Sequence, residues 1–359
     1  MKICLVLKKI NKGGGIPRVV TYLANVLSEK HNVTILSFEG GGETRKLIYN
    51  LDTKVECTFL FDQVNNYKKS FLKINRAVEK YFNNNTYDTV IISGMDYIPF
   101  FVLYLLKFPK SKFIAWEHSN YSIGKVFGLK WIGRKIALKR FDKIVVLTKQ
   151  DKKLYEKNES NIRKLEQIYN PDFLENCDWS YNSESKKIIS CGALTYQKGF
   201  DIALDAAKIV FEKISDWKWE IWGDGEDYNF LNNKIKELGI EKNVELKGFS
   251  NNIINQYKDY AFFALTSRYE GFCMVILEAM KCGLPIVSFD INCGPSEIIK
   301  GNGFLVPAYD IEKMAESIIK LINDKDARCE YSEQSRKIIK DFGKENFIVA
   351  WERIIEDIN

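Results

Sequence analysis

The chain has 359 residues, 46% hydrophobic and 28% charged, which is enough apolar material for two globular cores. Seven prolines and few low-complexity runs exclude long disordered tails. The formal net charge of +6 is unevenly distributed, because residues 1–150 hold 25 Lys and Arg against 11 Asp and Glu, whereas residues 151–359 hold 28 against 36. The basic first half indicates either an anionic partner, nucleic acid or lipid, or a solvated lysine-rich surface.

The sequence predicts neither a signal peptide nor a membrane-spanning helix. The apolar start Met1–Leu7 has no positive flank and no small-residue cleavage site, so it is interpreted as a first strand. The run Ile98–Leu106 is shorter than the roughly 20 residues that a spanning helix needs. Eight cysteines without a Cys-x-x-Cys pair favour reduced thiols. We therefore expect a cytoplasmic protein that is either free in solution or peripheral on the inner face of the cell membrane.

The first half alternates short apolar strands with helical stretches. Strands are predicted at Lys2–Leu7, Val33–Phe38, Thr89–Ser93, Lys112–Trp116 and Lys143–Leu147, and a helix over Arg18–Lys30 follows the glycine turn Gly13–Gly15. This alternation is typical of a parallel sheet covered by helices.

The alternation restarts after residue 170. Strands are predicted at Lys187–Cys191, Trp217–Trp222, Val244–Gly248, Ala261–Thr266 and Pro285–Phe289, with helices over Phe200–Lys213, Tyr228–Leu238 and Cys273–Cys282. We expect an N-terminal domain over residues 1–170, a C-terminal domain over 171–342 and a last helix within 343–359. Ligands of such sheets bind beyond the carboxyl ends of the strands, where the two halves would face each other.

A strand–loop–helix segment over residues 267–285 carries the clearest chemistry. Glu270 lies in its loop and Glu278 in its helix. The unpaired backbone N–H groups at the helix start are suited to a diphosphate, and they belong to Gly271, Phe272, Cys273 and Met274. Glu278 is placed to accept the hydroxyls of a ribose. Alternatively, Glu270 is only a helix N-terminal acid and Glu278 a surface residue.

The pattern Glu270-x7-Glu278, followed by Ala-Met-x-Cys-Gly-Leu-Pro, closely resembles the signature of the family 4 retaining glycosyltransferases, which have the GT-B fold. The resemblance extends over essentially the whole chain through Gly13-Gly-Gly-Ile-Pro-Arg18, Glu117-His118-Ser-Asn, Tyr169-Asn-Pro171, Gly192-Ala-Leu-Thr-Tyr-Gln-Lys198-Gly199, Gly223-Asp-Gly225 and Gly294-Pro-Ser-Glu297. It implies an α/β protein with two Rossmann-like, doubly wound parallel-sheet domains facing across a cleft: an N-terminal acceptor-binding domain and a C-terminal nucleotide-sugar-binding domain. It also implies that the last helix, within 343–359, crosses back to the N-terminal domain. It also implies transfer of a hexose or N-acetylhexosamine from a nucleoside-diphosphate sugar, with UDP the expected nucleotide, to a lipid-linked or polysaccharide acceptor.

The resemblance assigns roles to the matching positions. Glu278 would hold the donor ribose, and Glu270 would face the transferred sugar. Lys198, beside Gly192, would bind the diphosphate together with the backbone of residues 271–274. Many relatives have an arginine where this chain has Ala193, so either Lys198 and the helix start suffice for the diphosphate, or Arg268 or another cation replaces that arginine. His118 would lie beside the donor sugar or the acceptor, which makes Glu270, His118 and Lys198 the predicted catalytic residues.

The glycine turn permits two interpretations. It resembles a dinucleotide fingerprint, with Glu39 as the ribose acid, but Arg18 stands where the third glycine would be. A NAD-dependent oxidoreductase is therefore one alternative. We favour an anion site for the acceptor, formed by Gly14, Gly15 and Arg18 and completed by His118.

The stretch Lys125–Phe141 interleaves basic residues with apolar and aromatic ones and contains no acid. It predicts either an ordinary helix with one core face or a basic amphipathic helix at an anionic membrane surface. In the second case the contacts would come from Lys130, Arg134, Lys135, Lys139 and Arg140. No nucleic-acid module is visible, so nucleic acid is not expected as a partner. A non-catalytic, membrane-associated nucleotide-sugar-binding subunit is the other alternative function.

No metal or other cofactor is expected from the sequence. No Asp-x-Asp-type pair follows a strand where a metal would bridge phosphates, so Lys198 and the helix start would stabilise the leaving group. The family's stereochemistry is retention, and no carboxylate is clearly placed as a nucleophile. We therefore expect departure and attack on the same face of the sugar.

Overall fold

The computed structural model describes residues 1–42, 46–107, 109–160, 162–174, 180–250 and 252–359, and these form two compact units. The N-terminal unit comprises Met1–Asn170 together with Phe347–Asn359, and the C-terminal unit comprises Pro171–Asn346. Each contains one parallel sheet with helices. Cys177 lies outside the described residues, and the seven described cysteines are free thiols.

The N-terminal sheet has seven strands, all paired in parallel. The strands are β1 (Lys2–Lys9), β2 (Asn32–Glu39), β3 (Glu56–Phe59), β4 (Thr89–Ser93), β5 (Lys112–Trp116), β6 (Lys143–Val146) and β7 (Leu165–Gln167). The α-helices are α1 (Gly15–Ser28), α2 (Phe71–Asn84), α3 (Val102–Leu105), α4 (Leu129–Arg140) and α5 (Lys149–Asn158). The strand order β3-β2-β1-β4-β5-β6-β7 reverses between β1 and β4, which is the switch point where ligands of doubly wound sheets bind.

The C-terminal sheet repeats this topology with six parallel strands. The strands are β8 (Lys187–Cys191), β9 (Lys218–Trp222), β10 (Val244–Gly248), β11 (Phe262–Leu265), β12 (Ile286–Asp290) and β13 (Gly303–Pro307). The α-helices are α6 (Phe200–Lys213), α7 (Tyr228–Glu237), α8 (Met274–Lys281), α9 (Pro295–Ile298), α10 (Ile311–Asn323) and α11 (Lys325–Ile338). The order β10-β9-β8-β11-β12-β13 places the switch point between β8 and β11.

The last helix, α12 (Lys344–Ile358), contributes its apolar face to the N-terminal unit. Phe347, Trp351, Ile354 and Ile355 recur at helical spacing and are all buried. Trp351 packs edge-on against Trp116 of β5, with ring centroids 4.6 Å apart. The carboxyl end of β5 is thereby packed against α12.

Two structural features are not found among the described residues. None of the described helices combines the length and apolar composition that crossing a membrane requires. In the same residues, no group of three or more His, Cys, Asp or Glu side chains is arranged to hold a metal ion.

Candidate functional site

Lys198 and Glu270 form an ion pair after the carboxyl ends of two neighbouring strands, β8 and β11. The Nζ of Lys198 lies 2.7 Å from Oε1 of Glu270, which also accepts a hydrogen bond from Oγ of Ser267 at 2.8 Å. Burial opposes the positive charge, but the Glu270 carboxylate outweighs it and raises the pKa of Lys198. Lys198 is therefore a cation at neutral pH.

Close backbone approaches bring this pair against strand β8. Gly192 directly follows β8, and a Cβ there would meet Cε of Lys198 at 2.9 Å, so the lysine stem lies over this glycine. Gly223 follows the neighbouring β9, and a Cβ there would lie 1.8 Å from the carbonyl oxygen of Gly192. Gly199 joins the short helix Tyr196–Lys198 to α6 with a φ of 63°, a left-handed conformation that glycine adopts without strain. Glycine is therefore required wherever the backbone crosses this site.

Glu278 reaches the same edge of the sheet from α8. It is half-buried, and its carboxylate lies near Cys191, the last residue of β8. Burial, and to a smaller extent Glu278, raises the pKa of the Cys191 thiol. The structure thus brings Gly192, Lys198, Glu270 and Glu278 together around the β8–β11 switch point.

The start of α8 offers fewer backbone donors than the sequence suggests. The Met274 N–H donates to the carbonyl of Phe272 at 2.9 Å, so it is used within the turn. The side chains of Phe272 and Cys273 are buried, and the Phe272 ring lies 6.0 Å from that of Phe342. Burial raises the pKa of the Cys273 thiol, which is therefore neutral. Contact of Gly271, Phe272 and Cys273 with a ligand must come from the backbone.

Arg268 has partners that the sequence does not reveal. Its Nη atoms donate to both carboxylate oxygens of Asp201 at 2.8 and 2.6 Å, and its guanidinium stacks 4.0 Å from the Tyr196 ring. The hydrogen bonds that Arg268 donates to Asp201 raise the pKa of Arg268. Nothing in the sequence singles out Asp201, because an acid in the first turn of a helix is ordinarily explained by the helix dipole. These contacts fix Arg268 in the loop before Glu270, and its contact with a donor phosphate stays a prediction.

His118 follows β5 in the N-terminal unit and lies in an aromatic stack. Its ring centroid is 4.4 Å from that of Trp116, which in turn packs on Trp351. The Nε2 atom is buried and has no hydrogen-bond partner among the described residues. Burial and then the nearby charge of Lys130 lower the pKa of His118 to about 3, so the ring is neutral at neutral pH. A neutral imidazole offers one donor and one acceptor to a ligand.

Arg134 supports the loop that carries His118, and this corrects its predicted place on a membrane surface. The side chain is buried because its guanidinium lies 4.1 Å from the Tyr121 ring and Nε donates to the Tyr155 hydroxyl at 3.2 Å. Its Nη2 lies 3.8 Å from Oε2 of Glu117, whose other oxygen accepts from N and Oγ of Ser119 at 3.1 and 2.7 Å. Helical spacing alone does not predict that Arg134 points inward and contacts Tyr121, Tyr155 and Glu117.

The glycine turn lies at the start of α1 on the carboxyl side of β1. Gly14 is exposed, and no side chain caps the helix. The Tyr49 hydroxyl, which the sequence does not single out, binds both N and O of Gly14 at 3.1 Å. Gly14, Gly15 and Arg18 follow β1, whereas His118 follows β5, with β4 between them. The two strands that precede the predicted acceptor contacts, β1 and β5, are therefore roughly 10 Å apart in the sheet.

Two Rossmann-like sheets, with a cation and two carboxylates at the switch point of the second, are the arrangement expected of the GT-B fold. The profile described as Glycosyltransferase Family 4 matches residues 13–171, and that described as Glycosyl transferases group 1 matches residues 178–338. The chain is 30% identical over 358 residues to an uncharacterized glycosyltransferase of Haemophilus influenzae, covering 99% of each chain. The chain therefore belongs to the family 4, group 1 glycosyltransferases.

The sequence of a second relative and the fold of a solved structure are consistent with this family. A Campylobacter jejuni alpha-1,4-N-acetyl-D-galactosaminyltransferase is 27% identical over 368 residues, covering 100% of this chain and 99% of that one. A Staphylococcus aureus TarM structure superposes with a TM-score of 0.83 at 16% identity, over 98% of this chain and 99% of that one. The superposition establishes the fold, and the family membership makes the chain a glycosyltransferase. This family membership supports neither the NAD-dependent oxidoreductase nor the non-catalytic subunit as the function.

Proposed function

We propose that this glycosyltransferase moves a hexose or N-acetylhexosamine from a UDP-sugar to a lipid-linked or polysaccharide acceptor at the cytoplasmic face of the membrane, with retention of anomeric configuration. The placement of Lys198, Glu270 and Glu278 around Gly192 carries this proposal. A nucleoside-diphosphate sugar needs a cation for its phosphates and hydrogen-bond acceptors for its ribose and sugar hydroxyls.

The names of two known proteins support these donor and acceptor classes. The TarM structure contains UDP and alpha-GlcNAc-glycerol. The C. jejuni relative is named for alpha-1,4 transfer to a glycan on PP-undecaprenol. Because common UDP-hexoses carry an alpha-linked sugar, an alpha product corresponds to retention.

Lys198 is suited to a diphosphate even though it is already paired. An ammonium group has three donors, and one of them is directed at Glu270. The remaining donors can reach phosphate oxygens while Glu270 stays oriented toward a sugar hydroxyl. Glu278 then accepts the ribose hydroxyls, and the backbone of Gly271 and its neighbours adds uncharged donors.

Bond cleavage places negative charge on the departing UDP, and Lys198 stabilises that charge. Glu270 is tied to Lys198 and Ser267, so it is not placed as a free nucleophile for a double displacement. We therefore infer that the bond from the anomeric carbon to the phosphate oxygen breaks while the acceptor oxygen attacks from the same face. The leaving phosphate takes the acceptor's proton, and no metal ion takes part.

The N-terminal unit holds the acceptor in this proposal. Neutral His118 can exchange a hydrogen bond with a sugar hydroxyl without adding charge. The start of α1, with Gly14, Gly15 and Arg18, can bind an anionic group such as an acceptor phosphate.

A donor screen tests the proposal. The purified chain is incubated with UDP-sugars and GDP-sugars, with and without EDTA, and released nucleotide is measured. We expect UDP release from at least one UDP-sugar, unchanged by EDTA, and, when a lipid-linked acceptor is added, an alpha linkage in the product by NMR. Release only from GDP-sugars would contradict the donor, and loss of turnover in EDTA would contradict the metal-free mechanism. Thermal stabilisation by NAD but not by UDP would contradict the nucleotide site itself.

A further inference from the structure

Helix α4 packs tightly on one side and is open on the other. It begins at Leu129, whereas the sequence suggests a helix from Lys125, and residues 125–128 form a turn before it. A Cβ at Gly133 would lie 1.8 Å from the carbonyl oxygen of Met95, so α4 lies directly against the segment Met95–Phe101. The opposite side of α4 is left uncovered.

The turn before α4 exposes two large apolar side chains. Val126 is 67% exposed and Phe127 is 76% exposed. Phe127 has a φ of 61°, an uncommon left-handed conformation for a bulky residue. Its ring packs against Trp131 with centroids 5.0 Å apart. A strained turn that presents an uncovered phenyl ring indicates a partner that covers it.

An open apolar groove of about 290 Å³ lies between α3 and α4. Its apolar lining includes Leu105, Leu106, Trp131 and Ile136. Leu106, in this lining, is 58% exposed. The groove and the Phe127 turn share Trp131 and therefore form one continuous apolar surface.

The rim of this groove is basic. Lys135, Lys139 and Arg140 line it, exposed Lys125 lies in the adjoining turn, and residues 125–141 contain no Asp or Glu. Lys135 also pairs with Glu159 at 2.6 Å, which offsets part of its charge. An apolar floor with a positive rim is complementary to hydrocarbon chains beneath anionic headgroups.

We propose that the residues of α3 and α4 that line this groove, together with Leu106, Lys125, Val126 and Phe127, form a docking surface for a bilayer that contains anionic phospholipid. Val126 and Phe127 enter the interfacial layer, and Lys139 and Arg140 contact the headgroups. The proposal deepens the proposed function by naming the surface that meets the membrane of a lipid-linked acceptor. Docking itself requires neither donor nor acceptor.

Two of the predicted membrane residues do not belong to this surface. Arg134 is buried, and Lys130 donates to Oγ of Ser119 at 2.6 Å, in the loop that carries His118. Helix α4 thus has two roles on opposite sides, one toward the His118 loop and one toward the bilayer.

Co-sedimentation of the full chain with vesicles tests the docking surface. The vesicles contain phosphatidylcholine alone or with phosphatidylglycerol, and no donor or acceptor is added. The double substitution Lys139→Glu/Arg140→Glu is expected to lower partitioning onto phosphatidylglycerol vesicles at least about tenfold. Phe127→Ser is expected to lower it about three- to tenfold. The matched control Lys236→Glu/Lys242→Glu makes the same charge change on exposed residues of the C-terminal unit, and we expect binding within about twofold of wild type.

Circular dichroism and UDP affinity show that each variant is folded. Equal binding of the wild type to both vesicle types, or an equal loss in the control variant, would overturn the proposal. A wild-type dimer in light scattering that Phe127→Ser dissociates would assign the surface to a second copy and would also overturn it. Tight binding to phosphatidylglycerol without any sugar transfer would contradict the proposed function and not the docking surface.

Discussion

The two predicted binding regions are prepared for their ligands in opposite ways. In the C-terminal unit the charged side chains form ion pairs, Lys198 with Glu270 and Arg268 with Asp201. In the N-terminal unit His118 is uncharged because desolvation beside the Trp116 ring lowers its pKa. Ion pairing preserves charge in a half-buried site, whereas burial alone removes it. In the proposed function, the C-terminal unit therefore offers a charged group to the phosphates, and the N-terminal unit offers hydrogen bonding without charge.

The largest effect should follow removal of the Lys198 ammonium group. Lys198→Ala is expected to lower kcat for sugar transfer about 10²- to 10³-fold, because the charge that develops on the leaving UDP loses its stabilising partner. Lys208→Ala, on an exposed lysine of the same unit that pairs with Glu212, is the matched control and should retain wild-type kcat. A wild-type kcat for Lys198→Ala would contradict the claim that the paired Lys198 cation stabilises the leaving UDP.

Glu278→Ala should have the next largest effect. Loss of hydrogen bonds to a charged acceptor is expected to raise the Kd for UDP about 10- to 100-fold, measured by calorimetry. Glu237→Ala, an exposed acid at the end of α7, should leave the Kd unchanged. The ribose role is wrong if both variants bind UDP as the wild type does.

Arg134→Met tests whether Arg134 positions the uncharged His118 in the N-terminal unit. Loosening of the His118 loop is expected to lower kcat about 10- to 100-fold without changing UDP affinity. Arg134→Lys keeps the charge and should recover part of the loss. The chain has only two histidines, so ring NMR signals report on His118 with His31 as the internal reference. A positioning role requires the His118 signal to move and the His31 signal to stay, and an unmoved His118 signal would contradict it.

The smallest effect concerns pH. The folded-state pKa of His118, about 3, lies below its ordinary value of 6.5, so the unfolded chain binds this proton more readily. The stability that neutral His118 contributes is complete above about pH 6.5 and is lost as the pH falls toward 3. His118→Gln should therefore flatten the fall of Tm between pH 6.5 and 4. An unchanged slope would mean that the ring is not held neutral by burial.

Regular elements with strong hydrophobic periodicity could be predicted from the sequence. Thr89–Ser93 and Phe200–Lys213 lie where the pattern places them, and the predicted GT-B fold and family are confirmed. The short strands β3, β7 and β13 were not predicted. They lie at sheet edges, where short length and partial burial weaken the alternation that marks a strand.

The contacts of the candidate site could be predicted only in part. The motif places Glu270 and Glu278 on one loop and helix, but Lys198 meets Glu270 from 72 residues away. Only the β8–β11 pairing at the switch point brings these segments together. Burial of Arg134 depends likewise on Tyr155 and Glu117 from neighbouring elements, and periodicity along one helix carries no information about them.

Hydrogen exchange followed by mass spectrometry tests the central claim most directly, because UDP alone suffices as the ligand. With Lys198, Glu270 and Glu278 forming the nucleotide site, UDP should slow exchange in residues 192–199 and 268–278 and leave residues 13–19 unchanged. Slowing at residues 13–19, with no change in residues 268–278, would contradict the account.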